Sequence, residues 1–217
     1  PPDLHGPTLC LDQPGVQVAR RRSSSSAALG WGVVESARRA CADLLSRFHP
    51  LGPSEAADLA RLRELVDTVD DPWLRSIPLH VTASALIVHP ESGQVLLRWH
   101  QRQQAWLQAG GHGDPGETDP IEIALREGRE ESGLTDLVPW PDARLVHVVI
   151  VPVSARGDEP AHEHADLRFV LATTTPDAVR PEKPYAPLRW LTPSQAHEIT
   201  EGNVRVTLAR AEGLLAA

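Results

Sequence analysis

The stretch from Asp119 to Gly133 constrains the chain more than any other, because it fixes a helix at both ends. Asp119 is a good N-cap, Pro120 suits the first helical position, and Glu122 is placed to complete a capping box. Gly133 is the expected left-handed terminator. Between them Ile121, Ala124, Leu125 and Gly128 share one face, which predicts packing against a core. Glu127, Glu130 and Glu131 share another, spaced so that neighbouring Cβ atoms lie about 5–6 Å apart. Carboxylates this close repel one another, and the helix dipole disfavours them in the C-terminal half. Arg126 and Arg129 offset part of that cost, although Arg126 lies one position from the cluster and is expected to point elsewhere. A hard divalent cation such as Mg2+, which takes oxygen ligands and keeps several waters, would offset it more fully. The competing reading is a solvated acidic face, the usual fate of a charge run.

The chain has 217 residues, 41% hydrophobic and 23% charged, which is enough for one ordinary domain with a sizeable core plus an extension. A formal net charge of -8 argues against coating nucleic acid, which needs a basic face. It leaves a phosphate substrate open, because bound metal inverts the local field. Cys10 and Cys41 form no CxxC pair, so structural zinc on thiolates is not expected. Reduced thiols in a cytoplasmic protein are favoured over a single disulfide. No apolar run approaches the roughly 18 residues of a membrane span. Arg20-Arg21-Arg22 and the apolar run after it faintly resemble a signal peptide, but the run is short, holds Gly30 and Gly32, and ends at Glu35. A disordered arm is the preferred reading, with export as the lesser alternative. The sequence holds no Met, so its natural start is expected outside it.

Three regions are expected. Residues 1–30, with Pro, Gly and a serine run at 23–26, form a flexible arm. Residues 31–76 form a helical extension, with one helix over about 33–48 and a second from Ser54 to about Val69, in which Leu59, Leu62, Leu65 and Val66 recur at helical spacing. Residues 77–217 form the main domain. A buried strand from Leu79 to His89 and a second over 94–99 make a hairpin around Gly93, and a short strand at 106–108 enters a glycine-rich loop over 110–116. Further strands are expected at 144–153, 166–173 and 188–191, then a helix opened by Pro193 and a last one capped by Asn203. The fold class is α+β, with helices packed on a mostly non-parallel sheet.

Loop and acidic helix together carry a specific resemblance. Gly111, Glu117, Arg126-Glu127, Glu130-Glu131 and Gly133-Leu134 resemble the Nudix box, which runs Gly, five residues, Glu, seven residues, Arg-Glu, aliphatic, any residue, Glu-Glu, any residue, Gly, aliphatic. There are two departures. Eight residues separate Glu117 from Arg126, and Gly128 replaces the aliphatic residue, at a cost of about 1 kcal/mol relative to Ala in a helix interior. The extra residue is expected to be absorbed in the loop, since Asp119-Pro120 fixes where the helix starts. A little-characterised bacterial Nudix subgroup has a similar spacing, and His80-Val81-Thr82-Ala83-Ser84, Trp106-Leu107-Gln108 and the segment from Glu159 through Arg168-Phe169 resemble it too.

The resemblance implies an α/β/α sandwich with a mixed sheet, and metal-dependent hydrolysis of a diphosphate linkage in a small nucleotide-like molecule. It implies that Glu127, Glu130 and Glu131 hold Mg2+ or Mn2+, with the Gly111 carbonyl as a further ligand. Glu127 and Glu131 are then the catalytic pair, Glu127 serving as a candidate general base, and Glu117 is a structural partner of Arg126. Nucleoside diphosphate sugars, ADP-ribose-like molecules and nucleoside triphosphates all stay open, with a nucleoside diphosphate linked to a second group preferred. A catalytically silent nucleotide sensor is the first rival. An isoprenyl diphosphate isomerase is a weaker one, because both cysteines precede the domain. Neither nucleic acid nor membrane is an expected partner, and the extension could cover the site or build a homodimer.

Other residues stay open between functional and bland readings. His162, His164, Asp166 and Arg168 alternate, so a strand would turn all four to one face, suited to a transition metal, to a substrate's phosphate or sugar, or to solvent alone. Arg98 and His100 share a strand face that could reach a phosphate or base. Trp99 and Trp106 could stack on a nucleobase, although packing is the commoner fate. His112, inside the glycine loop, is a candidate beside the metals or substrate, and His80 reads as a structural histidine with satisfied hydrogen bonds.

Overall fold

The long apolar run that starts at Leu79 becomes the centre of the sheet in the computed structural model, which describes residues 25–217 and the side chains from Glu35 onward. Strand β1 (Leu79–His89) is buried at every position but its two ends. The described sheet has eight strands: β2 (Gln94–His100), β3 (Ala105–Leu107), β4 (Ala109–Gly111), β5 (Val138–Pro139), β6 (His147–Val153), β7 (His162–Ala172) and β8 (Leu188–Leu191) join β1. β1 and β7 run parallel from Leu79↔Glu163 to Val88↔Ala172, and the remaining pairings are antiparallel. Both β2 and β4 lie on the same side of β1, β2 on its C-terminal end and β4 on its middle. The Gly110-Gly111 dipeptide, expected in a loop, is therefore the end of a strand.

Helices cover both faces. Odd-numbered residues of the central pair, among them Val81, Ile87, Leu167 and Phe169, share one core with α1 (Ser25–Arg47), α2 (Pro53–Thr68) and α3 (Pro120–Ser132). Even-numbered Leu86, Val88 and Val170 share the other with α4 (Pro193–Ile199) and α5 (Gly202–Leu215). The result is the α/β/α sandwich with a mixed sheet. No described helix is long and apolar enough to cross a membrane. Residues 1–24 of the expected arm, Cys10 among them, lie outside the described residues, and α1 begins at Ser25 rather than near 33. Cys41 is a buried free thiol.

α3 has the bounds that its capping residues dictate. Asp119 accepts from the Ile121 amide at 3.2 Å, and Gly133 takes the left-handed conformation at φ 71°. The expected box with Glu122 does not form on α3; a capping box forms instead on α4, between Thr192 and Gln195. Gly128 has a packing reason. A Cβ there would lie 3.0 Å from Leu137 Cδ1 and 3.3 Å from Leu171 Cδ1, so α3 sits close on the sheet and these leucines fill the space an aliphatic residue would take. Asn203 is not the cap of α5, which is Glu201.

The helical extension joins the main core and seals an edge. Cys41, Leu45, Leu59 and Leu62 are buried in the same cluster as Ile123 and Phe169. One side of β6 pairs with β7; on the other, Glu55 Oε1 accepts from Val148 N at 3.2 Å and Asp58 Oδ2 from Ile150 N at 3.1 Å. Side chains of α2 thus satisfy amides that an open edge would leave for another strand. Glu55, 5% exposed, also accepts from Leu51 N and from Arg210 of α5 at 2.6 and 2.8 Å. Removing one member of such a pair strands the other, so Glu55→Ala is expected to cost about 3–5 kcal/mol of unfolding free energy in urea melts. A melting curve that superposes on that of the unaltered protein would show that Glu55 carries no such role.

Candidate functional site

Arg126 turns toward the glutamates instead of away from them. Its Nε and Nη2 donate to the two oxygens of Glu117 at 2.9 and 3.0 Å, a bidentate pair. Nη2 also donates to the His112 carbonyl at 2.8 Å, and Nη1 to Glu127 Oε1 at 2.9 Å and Glu130 Oε2 at 3.2 Å. The Glu117–Arg126 pair survives the longer spacing because Glu117 lies in the loop ahead of the Asp119 cap, where the Asp114 amide donates to it at 2.7 Å. Burial raises the Glu117 carboxyl, but Arg126 and the Asp114 amide outweigh it and hold its pKa below the ordinary value.

The three glutamates of α3 differ in environment. Glu130 is 54% exposed, Glu127 15% and Glu131 10%. Glu127 lies against Gly111, where a Cβ would fall 2.5 Å from Oε1, so a side chain at that position would displace the carboxylate from the backbone. Glu131 accepts from Gly110 N at 3.1 Å and pairs with Arg98 of β2. Burial pushes Glu131 up to about 7 against the pull of Arg98 and the Gly110 amide, and burial also raises Glu127 against the pull of Arg126. Two arginines thus hold the carboxylates, and the three are not drawn into one cluster of ligand oxygens. The donor set fits a hard divalent cation: oxygen ligands alone, two of them sequestered against glycine backbone, with positive charge already beside each.

Glu131, Arg98 and Gly111 form one wall of a cleft of about 770 Å3. His100, His112, His164 and Arg168 line it as well, whereas Glu117, Arg126, Glu127 and Glu130 lie behind the wall or outside it. His100 is half-buried; burial first, then Arg98 and Arg102, lowers its pKa. Trp99 and Trp106 also line the cleft and pack edge to face at 5.6 Å, and the Arg189 guanidinium covers one Trp106 face at 4.6 Å. Gln108 presents a buried side-chain oxygen with no hydrogen-bond partner among the described residues.

The cleft floor is the polar half of the central strand pair. The parallel register sets His80 beside His164, Thr82 beside Asp166 and Ser84 beside Arg168. Asp166 accepts from Thr82 at 3.1 Å, Ser84 at 2.7 Å and Arg168 Nε at 2.7 Å. Arg168, 3% exposed, gives its other donors to Thr207 and to the carbonyl and side chain of Asn203. Its guanidinium is thereby committed to the protein, and it fixes α5 to the floor. Asn203, read from sequence as a cap, acts here instead. His80 is hydrogen-bonded as expected, to the Ile77 carbonyl at 3.0 Å, but it also meets His112, His162 and His164 in one group of imidazoles. The signal was present in the sequence: His80, Thr82 and Ser84 alternate along an otherwise apolar strand, as His164, Asp166 and Arg168 do.

Residues 78–209 match the family model described as the NUDIX domain. The fold is similar to that of a C. elegans Ap4A hydrolase, at 22% identity over 63% of this chain and 97% of that one, with a TM-score of 0.50. It is also similar to the E. coli dihydroneopterin triphosphate pyrophosphohydrolase, at 17% identity over 63% of this chain and 96% of that one, with a TM-score of 0.50. At these identities the likeness is one of fold. No curated protein matches the sequence at a significant level. The family match spans more than half of the chain and takes in the whole of the loop and α3, so the chain belongs to the Nudix hydrolase superfamily.

Proposed function

We propose that this hydrolase acts on a diphosphate linkage in a nucleotide-like substrate, with a nucleoside diphosphate joined to a second group, such as a sugar, as the favoured class. The observation that carries this reading is the placement of Glu127 and Glu131 against the Gly110-Gly111 backbone at the wall of the cleft. The cleft's volume of about 770 Å3 suits a ligand with a group on each side of a diphosphate, since small-molecule sites run to roughly 300–1,000 Å3.

Glu127, Glu130 and Glu131 would hold Mg2+ or Mn2+, with the Gly111 carbonyl as a further ligand. When bound, such a cation neutralises the diphosphate and lowers the pKa of a water toward neutrality. Arg98, relieved of Glu131 by the cation, is placed in the cleft wall to donate to a phosphate oxygen. Glu127, whose carboxyl burial holds above the ordinary range, is a candidate base for the attacking water. The unpartnered Gln108 oxygen and His100 offer polar contacts to a nucleoside, and Trp99 an aromatic surface. The complete carboxylate set favours catalysis over silent nucleotide sensing.

Incubating the protein with a panel of nucleotides and Mg2+ is expected to yield two phosphorylated products from one class of substrate. Glu131→Gln is expected to lower kcat by at least about 100-fold, the lower end of what a positioned acid or base supplies. Turnover by Glu131→Gln at the unaltered rate would contradict the assignment. A second expectation concerns Arg126→Lys. Lysine cannot reproduce the forked bond to Glu117 together with the His112 carbonyl, and hydrogen bonds to charged groups are worth about 1.5–3 kcal/mol, so a loss of that order is expected in urea melts. An unchanged midpoint would show that the fork is not needed.

A further inference from the structure

Four imidazoles converge at the N-terminal end of the β1–β7 pair, and two of them, His112 and His164, also line the cleft. His80 stands near the start of β1, His162 and His164 at the start of β7, and His112 just after β4. The ring centroids of His80 lie 5.1, 5.3 and 5.0 Å from those of His112, His162 and His164, and His162 and His164 are 5.0 Å apart. Hydrogen bonding fixes two of the tautomers. His80 Nδ1 lies 3.0 Å from the Ile77 carbonyl, and His162 Nδ1 lies 3.0 Å from the Pro160 carbonyl. A carbonyl only accepts, so each Nδ1 carries the proton and each Nε2 turns a lone pair toward the group. The two Nε2 atoms meet other Nε2 atoms there: His80 with His112 at 3.1 Å, and His162 with His164 at 3.2 Å. This is the arrangement of metal-ligating histidines, which donate the second ring N–H to a carbonyl or carboxylate.

We propose that His80, His162 and His164 form a binding site for Zn2+, with His112 beside its open position. Their ligand nitrogens lie within 4.8 Å of one another. Zn–N bonds of about 2.0–2.1 Å in a tetrahedron separate ligand nitrogens by roughly 3.3–3.4 Å, close to the 3.2 Å between the Nε2 atoms of His162 and His164. Imidazole nitrogen suits zinc, whereas the carboxylates of α3 suit a hard cation, so the two sites differ in what they select. The nearby carboxylates Asp166 and Glu159 already have cationic partners. Asp166 is taken by Thr82, Ser84 and Arg168, and Glu159, 3.7 Å from His162 Nε2, is paired with Arg102 at 2.8 Å. An ion here would tie β1 to β7 directly under the glycine-rich wall. The inference rests on imidazole geometry alone and does not depend on which diphosphate the chain cleaves.

The test is metal binding by the full, tag-free chain after chelator treatment, with excess Mg2+ present to occupy carboxylates. Calorimetric titration with Zn2+ is expected to give one ion per chain, and Co2+ in its place is expected to give the strong visible absorption of a tetrahedral nitrogen site. His162→Gln and His164→Gln are each expected to weaken Zn2+ binding by more than about 100-fold, beyond the 10–100-fold that loss of an outer-shell partner costs, while Glu130→Gln leaves it unchanged. Circular dichroism identifies which variants are folded, and either folded histidine variant decides the question. No Zn2+ bound under these conditions, or equal affinity in a folded histidine variant, would overturn the proposal.

Discussion

The Arg126 guanidinium, 22% exposed, meets five acceptor atoms that come from two separate pieces of chain. Glu117 and the His112 carbonyl belong to the loop, and Glu127 and Glu130 to α3. The loop therefore cannot move independently of the helix, and the glycine strand that precedes it is held against the carboxylates. An arginine is needed because its donors are planar and forked, so that one side chain can satisfy a bidentate carboxylate and a carbonyl at once. The cap at Asp119 does the complementary work. It fixes where the helix begins, so an additional residue in the loop changes neither the pair nor the spacing of the glutamates.

Without metal, Arg98 supports Glu131, and Arg126 is shared by Glu117, Glu127 and Glu130. Glu131 sits in surroundings that disfavour its charge, and Arg98 is its main electrostatic support. A buried pair of this kind contributes little net stability, because desolvation offsets much of the attraction. In the proposed reaction it would keep in place a carboxylate that a cation takes over, leaving Arg98 at the cleft wall. The floor behind follows another logic, since Asp166 and Arg168 satisfy each other and their neighbours and are structural supports of the cleft.

Most of the fold could be read from local rules. α3 begins and ends at the residues that cap it, β1 ends at its turn, and the carboxylate spacing and glycine loop carried the family resemblance. What could not be read depends on contacts between distant segments. Arg126 was expected to point elsewhere because spacing along a helix says nothing about a loop packed over it. Asn203 looked like a cap until the partner strand brought Arg168 to it. The sealing of β6 by Glu55 and Asp58 crosses about ninety residues, and no pattern within α2 announces it. The histidine group needed the parallel register of β1 and β7, which places His80 beside His164; only the matching alternation of polar residues hinted at it.

The central claim is that the carboxylates of α3, held by Arg98 and Arg126, are a cation site. Binding of Mn2+ followed by electron paramagnetic resonance, with Mg2+ as competitor, tests it most directly in the unaltered protein and in Glu127→Gln. The account predicts bound Mn2+ that Mg2+ displaces, and affinity at least tenfold weaker, or about 1.4 kcal/mol, in a Glu127→Gln variant of unchanged fold. Mn2+ binding equally tight in the variant, or indifferent to Mg2+, would contradict it.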